Sequence, residues 1–204
     1  MAKQKPTARW DKAYTDGTKF LGINEVFIQQ LLARFTAHTS KEPTRVIDLG
    51  CGDGSTLASF GQIGVPLIGI DFSSVGLDLA KDNLKSYSDQ TTLISRDLND
   101  IKEIDLGVSD YSLWVCKLVL AFVEDKQEFL SEVAKKMSSH DVLLLMTPIL
   151  HDGINYSPED KPNIAIKETE LAHLLSDNFA WREIFSDAYR DQRVHTVSYL
   201  LGKQ

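Results

Sequence analysis

Three glycines stand at alternate positions in the run Val46-Ile47-Asp48-Leu49-Gly50-Cys51-Gly52-Asp53-Gly54-Ser55. An apolar, strand-like stretch leads into them and a helix is expected from about Ser55. Glycine reaches backbone angles closed to other residues and lets a ligand lie against the main chain. The start of a helix adds N–H groups that lack partners within it. Two further carboxylates follow at the ends of apolar stretches. Asp71 closes Pro66–Asp71, 17 residues after Gly54 (71 − 54). A carboxylate at such a strand end can accept hydrogen bonds from both hydroxyls of a ribose. Asp97 follows the stretch Thr92–Ser95, where it could accept a bond from an adenine amino group while the Leu98 N–H donates to the ring. With Asp48, three strand ends supply three carboxylates along one edge of a sheet, the edge where open α/β folds bind ligands.

The spacing separates two classes of adenosine-containing ligand. A dinucleotide fingerprint reads G-x-G-x-x-G, whereas here a glycine comes one place early and Ser55 takes the last slot. Asp53 also sets a negative charge where a pyrophosphate would approach. The loop therefore suits a ligand without phosphates, such as S-adenosylmethionine, whose ammonium group an acidic loop can hold.

The elements that must position these residues alternate in kind. Asn24 to His38 carries Phe27, Ile28, Leu31, Leu32 and Phe35 at helical spacing, with Asn24 as N-cap; Lys41, Glu42 and Pro43 end it. Strands are expected at Val46–Leu49, Pro66–Asp71, Thr92–Ser95, Tyr111–Cys116 and Val142–Met146. Helices are expected from Ser55, from Ser73 or Ser74, and over Glu124–Met137, where Phe129, Leu130, Val133 and Met137 share a face. The nearly all-aliphatic Val142–Met146 suits a parallel strand buried on both faces. Strands alternating with helices imply crossover units and a parallel sheet. After Thr147-Pro148 the pattern breaks into a long loop, Ile149–Ile166, of the kind that often carries function. A helix near Lys167–Ser176 and two extended segments, Trp181–Tyr189 and Val194–Leu201, close the chain as an antiparallel hairpin.

The chain has 204 residues, 43% hydrophobic and 25% charged, with a net charge of -7. That length suits one domain, and the charge disfavours broad attraction to nucleic acid or anionic membrane. Cys51 and Cys116 sit in expected buried β-regions and read as reduced thiols. Met1–Thr7 reads as a flexible tail, and Met1–Arg9 lacks the apolar core of a secretory signal. No apolar run reaches the roughly 18 residues of a membrane span, so a cytoplasmic location is expected. No ligand set at recognisable spacing marks a metal site.

Asp48-Leu49-Gly50-Cys51-Gly52-Asp53-Gly54 resembles motif I of the class I, Rossmann-like S-adenosylmethionine-dependent methyltransferases. Ile68-Gly69-Ile70-Asp71 with Ser73-Ser74 resembles the motif that follows, and Ser95-Arg96-Asp97-Leu98 and Asp110–Asp125 resemble the third and fourth strand regions. The resemblance runs from about Arg45 to Thr147. It implies a three-layer α/β sandwich whose seven-stranded, mostly parallel sheet has the order 3-2-1-4-5-7-6, with strand 7 antiparallel. Trp10-Asp11-Lys12-Ala13-Tyr14 resembles the lead-in of small-molecule members such as the tellurite-resistance and thiopurine methyltransferases. There the segment folds over the donor, so Trp10, Tyr14 and Phe20 are expected to form a lid. One domain is expected: 1–40 as lid and first helix, 41–147 as the cofactor-binding half, and 148–204 as the acceptor-side loop, helix and strand pair.

The same resemblance implies donor contacts from Gly50, Cys51, Gly52, Asp53 and Gly54, from Asp71 and Phe72, and from Asp97 and Leu98. It adds Cys116, Lys117, Trp10 and Tyr14; Asp48 either contacts the donor or orders the loop amides. Methyl transfer from a sulfonium is an in-line displacement with an activated donor, so no universal catalytic residue is required. A base is needed only where the acceptor keeps its proton near neutral pH. Lys117 could orient or deprotonate an acceptor, or pair with Glu124 or Asp125. Phe122 either packs on the donor or belongs to the core. His151, beside Asp152, has a type of side chain that titrates near neutrality; Asn155 and Tyr156 share its loop. Tyr189 and Arg190 could line the acceptor pocket. The segment Val115–Phe122 lacks both the Asn/Asp-Pro-Pro-aromatic motif and the Pro-Cys nucleophile of DNA methyltransferases, so DNA is not expected as a partner. The expected activity is methylation of a small molecule at O, N or S, releasing S-adenosylhomocysteine. A protein or RNA methyltransferase, a non-catalytic donor-binding module and a nucleotide-dependent oxidoreductase are the alternatives. The sequence leaves the oligomeric state open.

Overall fold

In a computed structural model of the chain, residues 6–160, 164–188 and 194–203 are described. The backbone contacts divide the chain into two units, Met1–Asp100 and Ile101–Gln204. Most of the tail expected at 1–7, together with Tyr189 and Arg190, lies outside the described residues.

In the first unit, helices α1 (Pro6–Thr15) and α2 (Glu25–Thr39) precede strand β1 (Arg45–Leu49). The Asn24 side chain accepts the Phe27 N–H and caps α2, and Ser40 ends it in a left-handed conformation. Ile28, Leu31 and Phe35 form its buried stripe, three of the five positions named from the spacing. β1 is followed by a short helix α3 (Ser55–Ser59), strand β2 (Leu67–Asp71), helix α4 (Ser74–Asn83) and strand β3 (Thr91–Ser95). β1 pairs parallel with β2, and β2 with β3. β1 is buried along its whole length, as expected of a strand covered on both faces. β3 is a mixture of half-buried and exposed positions. The helix expected from Ser55 is only five residues long, because Phe60 passes directly into a single 3-10 turn. The lead-in segment, expected as a lid, is helical over α1.

In the second unit, strand β4 (Ser112–Lys117), helix α5 (Lys126–Lys136) and strand β5 (Val142–Leu150) form a parallel crossover. Asp125 caps α5 by accepting the Glu128 N–H. β6 (Ile166–Lys167), helix α6 (Glu168–Asn178), β7 (Trp181–Ala188) and β8 (Val194–Gly202) follow. β8 lies antiparallel between β5 and β7.

Two expectations need correction. Among the described residues the strands number eight rather than seven, since β6 adds two residues beside the end of β5. The expected order 3-2-1 holds in the first unit, and the expected 4-5-7-6 becomes β4-β5-β8-β7 in the second, shifted only by β6. β5 also runs through Pro148 to Leu150 instead of ending at Met146. Proline usually breaks a central strand because it lacks the N–H donor. Here Pro148 lies opposite Thr196, and β8 pairs with β5 from Val142 to Leu150.

Asp141 ties the start of β5 to β4. Its buried carboxylate accepts the Ser112 N–H (2.7 Å), the Trp114 Nε1–H (3.0 Å), and the Ser138 N–H (3.0 Å) and hydroxyl (2.9 Å). Trp114 is fully buried. Each buried donor left unpaired costs about 1–3 kcal/mol. Asp141→Ala is therefore expected to lower the unfolding free energy by at least about 3 kcal/mol, measured by urea denaturation, whereas Asp125→Ala at the exposed cap of α5 should cost about 1 kcal/mol.

Candidate functional site

The glycine loop leaves β1 and turns at once. Gly50, Gly52 and Gly54 have φ of 77°, 53° and 75°, a region that costs other residues about 1–2 kcal/mol. Three anchors hold the turn. The Gly50 and Cys51 N–H groups both donate to the Ile70 carbonyl, at 2.8 and 3.0 Å. The Gly52 N–H donates to Asp71 Oδ2 at 2.9 Å. Asp53 Oδ1 accepts the Ser55 N–H at 3.0 Å, and the Asp53 carbonyl accepts from Asn83 on α4 at 2.8 Å. Asp53, expected as a donor contact, thus spends one carboxylate oxygen on ordering the loop. Cys51 packs over β2, where a Cβ on Gly69 would stand 2.8 Å from its Sγ. Burial, followed by the charges of Asp48 and Asp71, pushes the Cys51 thiol pKa well up, so it stays a neutral packing group.

Asp71 joins three elements. Besides Gly52, its Oδ1 accepts the Ser73 N–H at 2.8 Å. The Ser73 hydroxyl in turn accepts the Gly76 N–H as the cap of α4 and donates to Asp11 Oδ1 at 2.6 Å. α1 is thereby docked by a side chain onto the end of β2. Burial raises the Asp71 pKa, and the amides of Ser73, Gly52 and Phe72 pull it back only in part. Asp48 is buried at the end of β1.

Tyr14 closes over this arrangement. A Cβ on Gly52 would fall 2.2 Å from the Tyr14 hydroxyl and one on Gly76 2.9 Å from its ring, so Tyr14 lies directly on the glycine loop. Its pKa is raised, first by burial and then by Asp71, Asp53, Cys51 and Asp48, which keeps the hydroxyl protonated as a donor. Trp10, Tyr14 and Phe20 form one ring cluster, with centroids 5.7 to 6.5 Å apart.

Asp97 lies just past β3, whose last residue, Ser95, is in register with Asp71. Asp97 is half-buried and its Oδ1 accepts the Asn99 N–H and side-chain amide, both at 2.9 Å. Leu98 is buried and Phe72 half-buried. The carboxyl ends of β1, β2 and β3 thus carry Asp48, Asp71 and Asp97 on one edge. Such an edge fits an adenosyl sulfonium: a glycine loop with a protonated phenol on it, and carboxylates rather than anion-binding cations. The loop is unsuited to a pyrophosphate for the same reason.

In the second unit, Cys116 is buried and Lys117, half-buried, ends β4. The next residue, Leu118, has φ of 61°, and its N–H donates to the Met146 carbonyl at 2.8 Å. Strain of that kind, about 1–2 kcal/mol, gathers at functional sites. Phe122 is half-buried at the end of a 3-10 turn. His151 emerges from the carboxyl end of β5. Asp152, its expected partner, instead accepts from the Thr169 N–H and hydroxyl at the start of α6. The carboxylate that reaches His151 is Glu168 (Oε2 to Nδ1, 3.0 Å), and His151 Nε2 lies 3.2 Å from His195 Nδ1. The Tyr156 hydroxyl accepts the His151 backbone N–H at 2.7 Å. Asp11, His195 and Glu168 were missed from the sequence. Asp11 had a signal, three residues before Tyr14 and so on the same helix face; His195 and Glu168 had none, being 44 and 17 residues from His151. Among the described residues no group of three or more His, Cys, Asp or Glu is arranged to hold a metal ion, and no helix is long and apolar enough to cross a membrane.

The family model for a methyltransferase domain matches residues 40–198. The chain belongs to this family, the S-adenosylmethionine-dependent methyltransferases of the class I, Rossmann-like fold. It is 30% identical over 95 residues to the magnesium-protoporphyrin O-methyltransferase of Rhodobacter capsulatus, covering 47% of this chain and 42% of that protein. It is 30% identical over 112 residues to the ribosomal RNA small subunit methyltransferase H of a Sulfurihydrogenibium species, covering 47% of this chain and 37% of that one. The matches thus span well under half the length of either relative. Among solved structures, the geranyl diphosphate C-methyltransferase of Streptomyces coelicolor A3(2), in complex with magnesium, geranyl diphosphate and S-adenosylhomocysteine, superposes with a TM-score of 0.69 at 10% identity. That match covers 97% of this chain and 96% of that one.

Gly52→Ala would combine the backbone cost with a collision against the Tyr14 hydroxyl. In a thermal-denaturation cycle it is expected to destabilise more in the native background than with Tyr14→Phe, where the backbone cost of about 1–2 kcal/mol and the tight 3.2 Å approach to the ring Cζ remain but the hydroxyl collision is gone.

Proposed function

We propose that this protein transfers a methyl group from S-adenosylmethionine to an O, N or S nucleophile of a small molecule, by in-line displacement. The observation that carries this is the loop Gly50–Gly54, with three left-handed glycines, the Tyr14 hydroxyl against Gly52, and Asp71 at the carboxyl end of β2 clamping the Gly52 N–H. The donor, when bound, supplies an activated methyl carbon on a neutral leaving group. The chain's own residues bind, orient and exclude water. Burial raises the Asp71 pKa, and the amides of Ser73, Gly52 and Phe72 offset that only in part. Hydroxyl donors from a ligand ribose would offset the rest of that burial cost, which makes the site favour a diol. We assign Asp97 and the Leu98 N–H to the adenine, and Asp48, Cys51, Asp53 and Gly54 to shaping the loop. Phe72 borders the ribose subsite. Trp10 and Tyr14 cover the donor as part of one methyltransferase domain that includes the N-terminal helix.

Cys116, Lys117, His151 and Tyr156 sit at or just past the carboxyl ends of β4 and β5, the edge where open α/β folds take ligands, and we assign Lys117, His151 and Tyr156 to the acceptor. The net charge of -7 favours a small molecule over an RNA, since phosphate recognition rests on cations. The magnesium-protoporphyrin and geranyl diphosphate enzymes act on small molecules by name, and support the same choice. The ribosomal RNA relative supports the second reading, an RNA acceptor.

Calorimetry tests the donor half. Micromolar binding of S-adenosylhomocysteine is expected, with none of NAD. Asp71→Ala should weaken that binding by about 1–3 kcal/mol, the cost of losing a buried polar partner. An unchanged affinity in that variant would remove the ribose role, and binding of NAD alone would overturn the donor assignment.

A further inference from the structure

Helix α1 is held against the glycine loop by two kinds of contact, all within the first unit. The first is steric. A Cβ on Gly52 would collide with the Tyr14 hydroxyl, and one on Gly76 would stand 2.9 Å from the Tyr14 ring. The buried Tyr14 side chain therefore spans the loop after β1 and the first turn of α4. The second is polar. The Ser73 hydroxyl donates to Asp11 Oδ1 at 2.6 Å, across 62 positions of sequence. Asp11 and Tyr14 are three residues apart and share a helix face. Two other polar pairs of α1, Lys12 with Asp16 and Thr15 with the Asp11 carbonyl, stay inside the helix.

The chain that follows α1 contains one turn with open space around it. The Thr18 N–H donates to the Ala13 carbonyl and the Gly17 N–H to the Tyr14 carbonyl, both at 3.0 Å, with Gly17 at φ 82°. This is a glycine helix stop, and a Cβ on Gly17 would meet nothing within 4 Å. The backbone is fixed again at Gly22, where a Cβ would stand 2.6 Å from the Ser55 carbonyl, and at Ile23, whose N–H donates to Ser59 Oγ at 3.0 Å. Between these points Phe20 rests on Trp10 and Tyr14. α1 thus joins an anchored segment through an uncrowded glycine.

These contacts differ in what they resist. Ring packing is non-directional and persists through small shifts. A hydrogen bond to a carboxylate is short and directional, and it is lost once the helix moves by about its own length. A ligand that reaches the loop face under Tyr14 must first displace α1, and must displace it again on leaving. We propose that α1 is a gate over the donor loop, turning about Gly17 and latched by Asp11 on Ser73, and that its opening sets the rates at which the donor enters and the product leaves. The inference rests on the methyltransferase reading above, and it gives Asp11 and Ser73 a kinetic role in that same site. The latch makes one bond whether or not the loop is occupied, so it slows entry and exit alike and cancels from the affinity.

Asp11 is the residue to change, because Ser73 also caps α4. The probe is S-adenosylhomocysteine, mixed with the full chain in a stopped-flow instrument and followed by tryptophan fluorescence. Hydrogen exchange of the amides of residues 6–15 reads the helix independently of any ligand. Asp11→Ala should raise the association and dissociation rates together by about tenfold, the effect of losing a hydrogen bond to a charged group. The Kd should stay within about twofold, and the α1 amides should exchange about tenfold faster. Asp11→Asn keeps an oxygen for the Ser73 hydroxyl and should return both rates most of the way to native. Faster amide exchange with an unchanged association rate would overturn the gate. A weaker Kd carried by dissociation alone would make Asp11 a ligand contact and overturn it equally, and unchanged amide exchange would remove the latch. If the native chain does not bind S-adenosylhomocysteine, the donor reading falls and the gate with it, while amide exchange still reports whether Asp11 holds α1.

Discussion

Asp71 accepts two backbone amides from different elements, Gly52 in the loop after β1 and Ser73 at the cap of α4. The carboxylate is buried, and burial raises its pKa more than the amides lower it. It is thus a buried carboxyl group held in place by the fold, with the strand register supplying the position. The Ser73 hydroxyl, on the residue whose N–H Asp71 holds, donates to Asp11 on α1. Asp71 thus holds the backbone of Ser73, whose hydroxyl separately caps α4 and meets Asp11.

Glycine has two separate duties here. Gly50, Gly52 and Gly54 supply left-handed turns that let the loop double back over Ile70. Gly52 and Gly69 also leave room that a side chain would fill: the Tyr14 hydroxyl occupies one and Cys51 the other. The phenol and the thiol are both pushed toward their neutral forms by burial and by the surrounding carboxylates. The site's negative charge therefore resides on its aspartates, which suits a cationic, phosphate-free ligand.

The second unit shows a different economy. β5 extends through Pro148 to Leu150 because β8 pairs with it along its whole length, and this extension delivers His151 to the strand end. The loop that follows is anchored by Tyr156, by Asp152 on Thr169, and by the rings of His151 and His195. A segment that reads as an irregular loop is thereby held by side-chain bonds to α6 and β8.

Much of this was legible in the amino-acid order. Local periodicity marked Ile28, Leu31 and Phe35 as the buried stripe of α2. The polar cap Asn24 and the β-rich runs ending at Leu49, Asp71 and Ser95 were equally plain, because caps, helical spacing and strand-to-glycine transitions are short-range properties. The alternating glycines announced a tight turn after β1, and the positions of Asp71 and Asp97 placed carboxylates at neighbouring strand ends. Other features depend on residues far apart in the chain: Asp11 reaching Ser73 across 62 positions, Glu168 rather than Asp152 meeting His151, and His195 arriving from β8. The two-residue β6 and the continuation of β5 through Pro148 belong to the same group. Propensity assigns a conformation to each residue separately, whereas pairing registers and side-chain partners exist only once distant segments are packed, so only the tertiary structure decided them.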